Sequence, residues 1–81
     1  MQIKVKLFGN FREKCPKGLP LGDHFTIQVP DGATISDVLH QLDIAEDEAR
    51  VVIINSNIIR DFKFQLNPSD LFVAFPPIGG G

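Results

Sequence analysis

Only one stretch of this chain of 81 residues carries a helical period. Ile35, Val38, Leu39 and Leu42 fall at i, i+3, i+4 and i+7, which gives a short helix with a single apolar stripe. Thr34 stands at the N-cap position with Asp37 three residues on, an acidic capping box, and Pro30, Asp31 and Gly32 turn the chain into it. The other periodic stretches read as strands. Residues 2–8 set Ile3, Val5 and Leu7 against Lys4 and Lys6, with Phe8 breaking the pattern on the polar side, and residues 24–29 alternate Phe25, Ile27 and Val29 with His24, Thr26 and Gln28. Val51 to Ile54 is a continuous β-branched run closed by a turn at Asn55, Ser56 and Asn57. Ile58 and Ile59 begin a short return strand, and Leu71 to Phe75 form the last strand after a turn at Asn67, Pro68, Ser69 and Asp70. The predicted order is β, β, α, β, β, β, an α+β chain with its first two strands antiparallel.

One helix covers one face of a sheet. The third and last strands are nevertheless apolar on both parities, Val51 and Ile53 as well as Val52 and Ile54, and Leu71, Val73 and Phe75 as well as Phe72 and Ala74. Runs of that kind belong where both faces are covered. The expectation is a sheet face that a partner or a second copy buries, with Phe8 adding to the patch; the alternative is that loop 9–22 folds over it. In that loop Phe11 to Cys15 has room for one helical turn before Pro16 stops it, and the acidic segment 43–50 reads as a solvated connection or a turn.

Eight Lys plus Arg against ten Asp plus Glu give a net charge of −2, and the basic residues are scattered, so there is no footprint for nucleic acid or an anionic membrane. A chain this short holds one core. The lone Cys15 allows no intrachain disulfide, no apolar run reaches membrane-spanning length, and the first residues begin a strand pattern in place of a signal peptide; together these predict a cytoplasmic protein. Cys15 has no base near it in sequence, and His24 and His40 are isolated on polar parities, so neither a nucleophile nor a metal site is expected. Glu46, Asp47 and Glu48 read as a solvated charge run. The chain is not expected to be an enzyme by itself.

The stretch FVAFPPIGGG has a different logic. A strand runs into Pro76 and Pro77, which fix φ and favour an extended arm, and the sequence closes on Gly79, Gly80 and Gly81, which can enter a channel too narrow for side chains. Residues 76–81 fully extended would carry the terminal carboxylate about 20 Å from a body formed by residues 1–75. A carboxylate is a poor electrophile until it is made an acyl adenylate. It can then receive sulfur, or pass through a cysteine to a lysine amine.

The opening IKVKLFGNFRE, the turn and helix PDGATISDVLHQL, the strand and turn VVIIN and the ending DLFVAFPPIGGG together resemble the small subunit of molybdopterin synthase, in the MoaD/ThiS group of β-grasp, ubiquitin-like sulfur carriers. The resemblance spans essentially the whole chain, and the ending FPP-x-x-GG is its specific part. It implies a mixed sheet of four to five strands on one main helix with a flexible C-terminal tail. It implies further that an E1-like adenylating enzyme uses ATP to activate Gly81. A donor such as a persulfide enzyme then makes the thiocarboxylate, and Gly79, Gly80, Pro76 and Pro77 thread into active sites. No permanently bound cofactor or metal is implied. A large catalytic subunit would take the tail while Phe8, Ile59 and Phe75 pack against it, and the sulfur would go to the pterin that holds molybdenum or tungsten. The sequence departs from the family at Asn55-Ser56, where Asn-Gly is usual, at the turn 67–70, at Gly79, where Ala or Ser is usual, and in loop 9–22. A carrier for the thiamine thiazole or a tRNA base, a protein modifier joined through Gly81 to lysines, and a plain binding module remain as other readings of the same residues.

Overall fold

The computed structural model describes residues 1–77. Its elements are β1 (Gln2–Leu7), a 3₁₀ helix (Gly9–Lys14), β2 (Phe25–Gln28), α1 (Ile35–Gln41), β3 (Val51–Ile54), β4 (Asn57–Ile58) and β5 (Leu71–Phe75). The five strands form one sheet in the order β2-β1-β5-β3-β4. β1 and β5 pair in parallel at the centre, and the other pairs are antiparallel. This mixed sheet with α1 packed on one face is the β-grasp arrangement that the resemblance implies.

Strand alternation sets the core. Ile3, Val5 and Leu7 of β1, Val52 and Ile54 of β3, and Phe72 and Ala74 of β5 are buried together with Ile35, Val38 and Leu39 of α1. At about 25 cal/mol per Å² of apolar surface, this single helix-side core is the main source of stability. The capping box is present: the Thr34 hydroxyl accepts from the Asp37 amide at 3.2 Å, and the Asp37 carboxylate accepts from the Thr34 amide at 2.9 Å. Segment 60–66 is not a strand despite its alternating Phe62, Phe64 and Leu66. It crosses the helix start, where the Phe64 and Phe62 carbonyls accept from the Ile35 and Ser36 amides, two of the donors a helix N-terminus leaves open.

The acidic connection 43–50 is more than a solvated run. Asp43 has φ 59, the Ile44 amide donates to the Leu39 carbonyl at 2.9 Å and the Asp43 amide to His40 at 3.0 Å, a Schellman cap. Ile44 and Ala49 are buried and pin the segment to the core. The turn before β5 is likewise anchored from within. Asp70 is 7 % exposed and accepts from Asn55 Nδ2 at 2.7 Å and from the Asn67 amide at 2.8 Å.

Candidate functional site: the outer sheet face and the root of the tail

Cross-strand register decides which residues share the face away from α1. Lys4 lies opposite Leu71 and Lys6 opposite Val73; Val51 lies opposite Phe75, and Ile53 opposite both Val73 and Ile58. Since partners in register project to the same side, one face carries Lys4, Lys6, Leu71, Val73, Phe75, Val51, Ile53 and Ile58. Thr26 and Gln28 of β2 join it through their pairing with Lys4 and Gln2. The face is divided, polar and cationic over β2 and β1, apolar over β5, β3 and β4.

The apolar half is open. Val51, Ile53, Leu71, Val73 and Phe75 are half-buried, and Ile58 is 59 % exposed. Loop 9–22 does not close over it, because Phe11 is buried in the helix-side core and Cys15 packs against the same cluster. The surplus of apolar strand residues therefore corresponds to a real uncovered face, without the loop as its lid.

Of the residues expected at a partner surface, Phe8 and Phe75 come together, with ring centroids 4.7 Å apart and planes 9° from parallel. Ile59 does not join them. Its amide donates to the Val52 carbonyl and its side chain packs on the core cluster, so β4 presents Ile58 outward instead. The cause is the hairpin: Asn55 and Ser56 both have positive φ, 49° and 74°, which makes a two-residue turn that sets Asn57 opposite Ile54 and Ile58 opposite Ile53. Counting Asn57 into the turn shifts the parity by one. The signal was in the sequence, in the Asn-Ser pair between β-branched runs.

Pro76 is half-buried and Pro77 exposed, directly after the Phe75 ring. Gly79, Gly80 and Gly81 lie outside the described residues. A second residue that sequence reasoning passed over is Gly9, which has φ +59 and sits beneath the Pro76 ring. Cys15 is half-buried, while His24 and His40 are exposed. Among the described residues no group of three potential metal ligands occurs, and no helix is long and apolar enough to cross a membrane.

Residues 5–81 match the model of the ThiS family. A search of curated proteins gave no significant match. Among solved structures, SAMP1, small archaeal modifier protein 1 of Haloferax volcanii, is 21 % identical with a TM-score of 0.71, each chain covered over 100 %. A chain from Pyrococcus furiosus described as molybdopterin converting factor, subunit 1, is 22 % identical with a TM-score of 0.67, over 95 % of this chain and 98 % of that one. A chain in the complex of subunits 1 and 2 of molybdopterin-converting factor from Helicobacter pylori is 19 % identical with a TM-score of 0.61, over 100 % of both. At these identities the structures share the fold.

Proposed function

The chain belongs to the ThiS family, and on that premise we propose that it is a cytoplasmic sulfur carrier whose Gly81 bears the free carboxylate. An E1-like adenylating enzyme joins that carboxylate to the α-phosphate of ATP, releasing pyrophosphate. The terminal sulfur of a donor persulfide attacks the acyl adenylate and displaces AMP. A thiol then reduces the resulting acyl disulfide, becoming a disulfide itself and leaving the thiocarboxylate. The chain supplies no catalytic group to these steps. Its residues 76–81 deliver the reacting carbonyl, and its outer face holds the enzyme that uses it.

The favoured acceptor is the molybdopterin precursor, in the large subunit of molybdopterin synthase. One observation carries this reading: the uncovered apolar half of the sheet ends at Phe75, the residue from which the tail departs, so a partner on that face receives the tail beside it. The similarity to a chain in the subunit 1 and 2 complex of molybdopterin-converting factor supports a large subunit as that partner. The similarity to a small archaeal modifier favours a second reading, in which Gly81 ends on a lysine amine as an isopeptide bond.

Reconstitution separates them. The thiocarboxylated chain, mixed with a molybdopterin synthase large subunit and the sulfur-free pterin precursor, is expected to lose its sulfur to the pterin. No transfer, together with ATP-dependent lysine conjugates of this chain in a cell extract, would overturn the molybdopterin reading in favour of the modifier.

A further inference from the structure

The tail root is gripped at two successive positions by the junction between β1 and the 3₁₀ helix. Phe8 stacks on Phe75, its amide donates to the Ala74 carbonyl at 3.3 Å, and Gly9 lies against Pro76. A Cβ on Gly9 would stand 2.6 Å from Pro76 Cγ and 3.1 Å from its Cδ. A long flexible side chain could swing clear of such a clash. A proline ring has only its pucker to give: Cγ can shift a little, but Cδ is bonded to the backbone nitrogen, so full relief requires the backbone of Pro76 or of residue 9 to move.

The geometry points to Gly9 as a positioning residue for the tail: its missing side chain forms the seat of Pro76, and the seat fixes where the chain leaves the body at Pro77. This rests on the carrier reading above. With Pro76 seated, the five residues from Pro77 to Gly81 have a contour of at most about 18 Å. The seat therefore sets the point from which the residues after Pro76 reach an active site beside the docked face, and a shift of Pro76 displaces that starting point.

Substitution separates the two consequences of a Cβ at residue 9. Gly9→Asn supplies the Cβ but tolerates the left-handed conformation, whereas Gly9→Ala adds backbone strain to the clash. Each is made in the full chain, alone and with Pro76→Ala, which removes Cγ and Cδ. The measurements are thermal melting and the kcat and KM of ATP–pyrophosphate exchange with an adenylating enzyme known to be competent on a carrier of this family. Gly9→Asn is expected to lower kcat about tenfold with KM for the carrier nearly unchanged, since misplaced reactants lose rate without losing docking. In the Pro76→Ala background the same substitution should change kcat by less than about twofold. Gly9→Ala should lower the melting temperature in both backgrounds, and more where Pro76 is present. Equal kcat losses in the two backgrounds, a loss confined to KM, or losses that merely track the unfolded fraction would overturn the positioning role. No exchange by the unsubstituted chain would instead sink the carrier reading for that enzyme, and the melting data would still score the Gly9–Pro76 seat.

Discussion

The rings of Phe8 and Phe75 lie 4.7 Å apart and 9° from parallel, which joins the last residue of β5 to the residue that follows β1. The pair is half-buried, at the edge of an apolar face that the rest of the chain leaves open. A stack in that place holds the fold together and, under the proposed function, would also meet a docking partner, and the two roles have different energetic signatures.

Phe8→Ala is expected to lower unfolding free energy by about 1 kcal/mol, the scale of an aromatic pair at a half-exposed position. Its effect on association with a large subunit is expected to reach about 2 kcal/mol or more, as for an aromatic anchor at an interface centre. Denaturant melts and calorimetric titration give the two numbers, and a loss of stability without a loss of binding would exclude Phe8 from the interface.

Ile58 and Ile59 are adjacent but face opposite sides of the sheet. Ile58→Asp should stay within about 0.5 kcal/mol of the parent in stability while weakening partner association. Ile59→Asp places a carboxylate against the core and should cost about 3 kcal/mol or more. Reversed stability effects would mean that β4 pairs in the other register.

Asn55 ties β3 to β5 through its side chain, donating to Asp70 at 2.7 Å and accepting from the Leu71 amide at 2.8 Å, at φ 49. Asn55→Ala removes both bonds, leaves the buried Asp70 short of a donor and puts an alanine in the left-handed region, for a cost of about 3 kcal/mol. Urea unfolding monitored by circular dichroism would measure it. A cost below about 1 kcal/mol would show that water replaces the clamp.

Asp43 occupies the left-handed position of the Schellman cap at φ 59, where glycine is favoured. Its ion pair with Lys14, at 3.3 Å, is solvent-exposed and contributes little. Asp43→Gly should therefore stabilise the chain by about 0.5 to 1 kcal/mol, seen as a raised melting temperature. A lowered one would make the Lys14 contact the larger effect.

Much of this architecture is legible in the sequence because period and capping agree there. The stripe Ile35, Val38, Leu39, Leu42 with Thr34 and Asp37 gives α1, and the alternation of Ile3, Val5 and Leu7 gives β1 and its buried side. The uncovered face was legible as well, since Val51, Ile53, Val73 and Phe75 have no helix to meet. What was lost depends on single turn residues. The helix ends in a Schellman cap built on Asp43 where glycine usually signals it, so the anchors Ile44 and Ala49 look like parts of a charge run. The two-residue turn Asn55-Ser56 sets the parity of β4, and reading it one residue longer exchanges Ile58 for Ile59. Gly9 has no local signal at all: its role arises from a proline 67 positions further along the chain, which only the parallel pairing of β1 with β5 brings to it.

A carrier of the proposed kind bears its sulfur at Gly81. The most direct measurement is the intact mass of the full chain after incubation with a competent adenylating enzyme, ATP, a persulfide donor and a thiol. The expected product has one carboxylate oxygen replaced by sulfur, requires ATP and is absent when Gly81 is deleted from a chain that still folds. An unchanged mass under conditions that convert another carrier of the family would contradict it.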